Sequence, residues 1–310
     1  MSPLIAFVVL YLLASIAIGL IAARRVKNTR DYANAGRSLP LYIVVATVFA
    51  TWFGSEAVLG IPATFVKDGL GGIIEDPFGA SMCLILVGLF FARKLYRMNL
   101  LTIGDYYRQR YSRSVEIIVS LCIVVSYLGW VSAQITALGL VFNVLSQGTL
   151  SISVGMIIGA AIVLLYTLFG GMWSVALTDF FQMIVIVLGL LYIAYVVSDL
   201  AGGTQQVIQH AAAAGKFTFM PKLSTADILA FVAAWVTMMF GSIPQQDVFQ
   251  RVMSAKSANV GVIGAIAGGS LYFLFAFVPI FLAYSASLID PKMVASLIDS
   301  DAQMILPTLI

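Results

Sequence analysis

Uncharged residues run along this chain in very long blocks. Nothing from Ser2 to Ala23 is charged, 62 uncharged residues separate Glu116 from Asp179, and 33 separate Lys256 from Asp290. About 18 apolar residues are enough for a helix to cross a bilayer. Cut at glycine, proline and polar punctuation, the blocks predict eight helices: Pro3–Ala23, Leu39–Ala63, Pro77–Leu95, Val115–Leu145, Ser151–Phe169, Val175–Val197, Ala226–Ser242 and Val260–Leu288. Ser146-Gln147-Gly148 and Gly170-Gly171 are the turns flanking the fifth. The first block is read as a retained span and not a signal peptide, because its positive charges follow the apolar run.

Two of these helices are interrupted at membrane depth. The second carries Ala50-Thr51-Trp52-Phe53-Gly54-Ser55-Glu56, then Gly60 and Pro62; the seventh carries Thr237-Met238-Met239-Phe240-Gly241-Ser242-Ile243-Pro244. The two stand five helices apart and, with alternating spans, run in opposite directions. Paired interruptions at corresponding places of two inverted halves point to the binding site of a secondary transporter. The plainer explanation is that glycine and proline are commoner in membrane helices generally.

Composition narrows the class further. Only 10% of the 310 residues are charged and 61% are hydrophobic, against about 25% charged in a soluble domain. Soluble enzymes, nucleic-acid readers and disulfide scaffolds are excluded. Cys83 and Cys122 lie in apolar stretches without metal-ligand spacing, and His210 is the single histidine, so no metal site and no cofactor is expected from them. The basic residues are sorted. Loops 24–38, 93–115 and 243–259 hold 13 of the 17 Lys and Arg, including every Arg, and only Lys67, Lys216, Lys222 and Lys292 lie opposite. Basic loops stay in the cytoplasm, which predicts a multi-pass protein of the plasma membrane with its N-terminus outside.

Two acidic residues stand well inside the predicted spans. A carboxylate near a helix centre costs roughly 2.5–3.5 kcal/mol on insertion scales, so it faces a polar interior. Glu56 either faces a cavity, pairing with a cationic group of a solute or carrying a proton, or bonds freed backbone amides and a neighbouring Trp or Tyr. Asp179 is either an acid favoured by the start of the sixth helix or an oxygen ligand for a cation leaving towards the cytoplasm. Gln134, mid-way along the fourth helix, either reaches a solute or ties helices together. Tyr127, Trp130, Trp235 and Phe240 are read first as packing, with one or two left open to a role at a cavity.

Four ordered runs carry a family likeness: Asp31-Tyr32-Ala33-Asn34-Ala35-Gly36-Arg37-Ser38-Leu39-Pro40; Ala50-Thr51-Trp52-Phe53 with Leu59-Gly60-Ile61-Pro62; Gly170-Gly171 through Thr178-Asp179-Phe180-Phe181-Gln182; and Pro244-Gln245-Gln246-Asp247 with Phe249-Gln250-Arg251-Val252-Met253-Ser254-Ala255-Lys256. Together they resemble the sodium/solute symporter family over essentially the whole chain. The resemblance implies an all-α polytopic membrane protein with one leading helix and two inverted five-helix repeats. Residues 1–38 would be the leading helix and basic loop, 39–198 the first repeat, 199–224 an external loop and 225–310 the start of an incomplete second repeat. It further implies sodium as the coupling ion, bound by the backbone carbonyls of Ala50 and Phe53, with Asp179 at a second sodium site or on the exit route. Ser55, Glu56, Gln134, Trp235 and Phe240 are then the candidate solute-binding residues. Some family members have an acid where Trp52 stands, and that ligand does not carry over. The chain ends at Ile310, before the helix whose hydroxyls complete the family's sodium shell, so the natural chain is expected to continue.

The function implied is symport of sodium with a small polar solute, such as an amino acid or small carboxylate, by alternating access and without enzymatic chemistry. Partners are the solute, the ion and the lipid bilayer, with no nucleic acid. Similar transporter-like domains also occur ahead of histidine-kinase modules, so the alternative is the sensor domain of a membrane-bound histidine kinase.

Overall fold

The computed structural model describes residues 3–310, with side chains described from Ile5 onward. Uniform apolarity along the blocks produces helices throughout, and among the described residues the only β pairing is a single bridge between Leu39 and Ala255. In chain order the main helices are α1 Pro3–Ala23, α2 Leu41–Trp52, α3 Glu56–Gly72, α4 Ile74–Met98, α5 Ile103–Arg110, α6 Arg113–Leu145, α7 Ile152–Leu200, α8 Thr204–Ala213, α9 Thr225–Gly241, α10 Gln246–Met253 and α11 Ala258–Ile289.

Five of these, α1, α4, α6, α7 and α11, are long and apolar enough to cross a membrane, and two bent pairs bring the number to seven. The eighth predicted span is inside α7. At 1.5 Å per residue its 49 residues would reach roughly 73 Å, more than twice the ~30 Å hydrocarbon core. Gly171, at φ 49° and ψ −137°, breaks it, so α7 contains the predicted fifth and sixth spans joined by a one-residue break where a turn was expected. α3 and α4 also extend past their predicted ends, to Gly72 and back to Ile74. Hydropathy had excluded Lys67, Asp68, Glu75 and Asp76, which the helices carry into their polar ends.

Both interruptions expected from the sequence are present. α2 and α3 are bent by 62° and α9 and α10 by 46°. At the first, the Thr51 hydroxyl bonds back to the Thr47 carbonyl at 2.5 Å, a local bond that competes with the helix ladder. The Gly54 amide then bonds to the Trp52 carbonyl at 2.9 Å instead of reaching back to Ala50. At the second, Pro244 has no amide to donate and its ring disfavours a helical conformation of the residue before it.

The chain divides into two compact units. One comprises the residues up to Thr51, Leu86–Met183 and Pro244–Gly268; the other comprises Trp52–Ile85, Ile184–Ile243 and Gly269–Ile310. Two of the divisions, at 51/52 and 243/244, coincide with the helix interruptions.

The first unit collects all three basic loops, and with them 13 of the 17 Lys and Arg. The bridge is closed by Leu39 N donating to the Ser254 carbonyl (3.0 Å) and Lys256 N donating to the Leu39 carbonyl (2.9 Å). Arg37 lies over the Tyr96 ring at 3.6 Å and donates to the Tyr96 carbonyl and to Asn99. Gln250 donates to the Ala33 carbonyl at 2.5 Å, and Gln246 accepts from Ile103 N at 2.8 Å. Beneath these bonds Leu100, Ile103, Phe249 and Met253 form a buried core. Loop residues up to 217 positions apart in the sequence are thus bonded to one another within this unit. α2 lies close on α11, where a Cβ added at Gly264 or Gly268 would run into Val44 or Val48; such small-residue contacts let membrane helices approach.

The second unit gathers the loops poor in basic residues. Lys216 accepts from Leu70 N and donates from Nζ to the Lys67 carbonyl, both at 2.8 Å, and His210 Nδ1 lies 3.0 Å from the Tyr284 hydroxyl. Phe78 sits among Phe219, Trp235, Phe273 and Phe277, with ring centroids 4.8–6.4 Å away.

Candidate functional site

In the first unit the site is built on the last turns of α2. Ala50 lies one turn before the break, and the redirected Gly54 amide leaves its carbonyl without the usual donor four residues on. One turn earlier on the same helix, the fully buried Thr47 donates its hydroxyl to Asp179 Oδ2 at 2.5 Å. The acid is reached through the Gly171 break: Tyr32 donates to the Thr167 carbonyl at 3.2 Å, and its backbone packs against Gly171. Three of the four family-like runs thus meet in this unit, the Tyr32 run against the Gly171 run and against the Gln250 run. Thr47, which joins Asp179 to the helix of Ala50, belongs to none of them.

Gln134 is half-buried on α6, in the same unit. Of the membrane-crossing window of α6, none is buried inside the described chain.

In the second unit, Phe53 is buried, with its ring tilted against Phe275 at 5.3 Å and edge-on at 6.2 Å to Tyr272. Ser55 follows, half-buried, and Glu56 opens a wide π-helical turn, Glu56–Gly60, with an exposed side chain. Such turns concentrate at functional positions. Trp235 is packed among Phe78, Phe219 and Phe231, and its buried indole Nε1 has no hydrogen-bond partner among the described residues. Phe240 is 49% exposed near the end of α9, away from that ring cluster. The candidates therefore form two groups: Ala50 and Asp179 linked through α2, and Phe53, Ser55 and Glu56 in succession, with Trp235 held separately by aromatic packing.

Sequence reasoning missed Asp76 and Tyr272. Asp76 precedes the predicted third helix by one residue, yet it is only 9% exposed and accepts a 2.5 Å bond from the hydroxyl of fully buried Tyr272. Glu75-Asp76-Pro77 at the head of an apolar run was the available signal; nothing distinguished Tyr272 from the other tyrosines.

Among the described residues, five helices long and apolar enough to cross a membrane, or seven with the two bent pairs, define a helical polytopic membrane protein. The sodium:solute symporter family model matches residues 32–310, and the chain belongs to that family, whose members are transporters and not enzymes. It is 33% identical over 298 residues to the human high affinity choline transporter 1, covering 92% of this chain and 49% of the relative. It is 26% identical over 319 residues to the sodium/glucose cotransporter of Vibrio parahaemolyticus, covering 94% and 56%. The fold matches a sodium-coupled sialic acid symporter solved in a substrate-bound outward-open state, with a TM-score of 0.84 at 20% identity over 99% of this chain and 65% of that one. The chain spans about half the length of the curated relatives it matches.

Proposed function

We propose sodium-coupled import of a small polar solute by alternating access, with the N-terminus outside and the basic loops in the cytoplasm. The observation that carries this reading is the break after α2, where the Gly54 amide turns to the Trp52 carbonyl and not to Ala50, on the helix whose Thr47 holds Asp179. Unwound backbone carbonyls suit sodium because they supply oxygen ligands without a second buried charge. In this reading the carbonyls of Ala50 and Phe53 bind the ion and Asp179 stands on its inward route. Moving one charge inward at 100 mV releases about 2.3 kcal/mol, a roughly fortyfold concentration ratio at ~1.4 kcal/mol per tenfold. One ion is sufficient to accumulate solute.

Family members act on chemically different solutes, and two features favour one that carries a cationic group, an amino acid or a quaternary amine. The exposed Glu56 carboxylate stands beside the break, and a choline transporter is among the relatives. Ser55, Gln134, Trp235 and Phe240 are the further solute contacts proposed. The test is a thermal-shift screen of the full-length protein across amino acids, quaternary amines, carboxylates and sugars, in sodium and in potassium. Sodium-specific stabilisation by one solute class supports the reading, and a sodium-independent response throughout contradicts it. Glu56→Gln is expected to weaken a cationic solute about tenfold to a hundredfold, the loss of one charge-assisted contact, with fold and sodium response intact. Unchanged affinity for every cationic solute in this variant removes Glu56 from the site.

A further inference from the structure

Tyr272 does three things at one place. Its ring meets Trp52 edge-on at 6.5 Å and Phe53 edge-on at 6.2 Å, and its hydroxyl donates to Asp76 Oδ1 at 2.5 Å. One turn further along α11, Phe275 closes on the other ring of the break, 5.3 Å from Phe53. The two residues that follow Thr51, where α2 gives way, are thus gripped from α11, and the grip is tied to the head of α4. Trp52 and Phe53 need such a support. Carbonyls direct an ion only if they are held in place. Aromatic edge-to-face contacts set a ring's position, but a phenol buried without a partner for its hydroxyl carries a desolvation penalty. Asp76 supplies that partner.

We propose that Tyr272, anchored by Asp76, is the positioning residue for the sodium step: it holds Trp52 and Phe53 so that the Phe53 carbonyl is fixed for the ion. This rests on the sodium-coupled reading above. Asp76 acts here as a hydrogen-bond acceptor; its charge is not used. That separates the proposal from Asp76 serving as a cation ligand or proton carrier.

The test uses the purified full-length protein and sodium alone as probe, titrated against potassium at constant ionic strength, with the sodium concentration for half-maximal thermal stabilisation as readout. A merely structural role lowers the melting temperature at zero sodium and leaves that concentration unchanged. Tyr272→Phe, which removes only the hydroxyl, is expected to raise it about tenfold, equivalent to ~1.4 kcal/mol. Asp76→Ala is expected to do the same, and the double variant no more than the larger single change, because both remove one bond. Asp76→Asn keeps an acceptor oxygen and is expected to shift it by about threefold or less. If Tyr272→Phe does not fold, the two Asp76 variants carry the comparison. An unshifted Tyr272→Phe, or an Asp76→Asn as severe as Asp76→Ala, overturns the proposal while a sodium-responsive parent leaves the transport reading standing. A parent indifferent to sodium overturns both.

Discussion

Gly171→Ala is expected to abolish folding of the chain, at a cost of more than about 4 kcal/mol, an exceptional range for one substitution that coinciding penalties can reach. Two coincide here. The backbone at Gly171 has φ 49° and ψ −137°, a region that residues with a Cβ occupy only under strain of about 1–3 kcal/mol. A Cβ there would also strike the Tyr32 carbonyl and lie 2.8 Å from the Tyr32 ring carbons. Relief would require withdrawing the segment that Gln250 and Arg37 tie to the two other basic loops. The measurement is the folded fraction of the variant after solubilisation, by fluorescence-detected size exclusion. A monodisperse Gly171→Ala with parental melting temperature would show that the break in α7 is not required.

Asp179→Asn is expected to separate transport from stability. The amide oxygen still accepts from Thr47, so the bond between α7 and α2 survives and melting changes little. The charge is lost, and sodium-driven uptake by the full-length protein should fall on the order of tenfold or more if the acid lies on the ion's route, as intramembrane acids commonly do. Asp179→Leu is expected to be worse for stability. It strands the hydroxyl of fully buried Thr47, a penalty of about 1–3 kcal/mol that Thr47→Val in the same chain should recover. Parental uptake by Asp179→Asn would confine Asp179 to a structural role.

What could be read in the residues follows from what a membrane leaves visible. The interruptions announce themselves because Gly54, Gly241 and Pro244 are backbone signals that act locally, whatever surrounds them. The grouping of the basic loops is legible because Arg and Lys are rare enough for their positions to carry information. Facing is not legible. α6 and α11 are apolar all round, since lipid is as apolar as a packed interior, so no stripe marks the side of α11 that carries Tyr272 towards Asp76. Thr47 is hidden for the same reason, as one hydroxyl in an apolar helix whose partner lies 132 residues away. The Gly170-Gly171 pair reads as a turn between two helices, whereas a single residue of unusual conformation, Gly171, is enough to divide α7 into two spans.

The most direct test of the account is the linkage between ion and solute in the full-length protein. For the solute identified by the stability screen, binding is measured across a sodium series, and sodium binding across a solute series. Saturating sodium is expected to tighten the solute at least about tenfold, and the solute to tighten sodium by the same factor, since coupling free energy is reciprocal. A solute affinity that is the same in sodium and in potassium would contradict it.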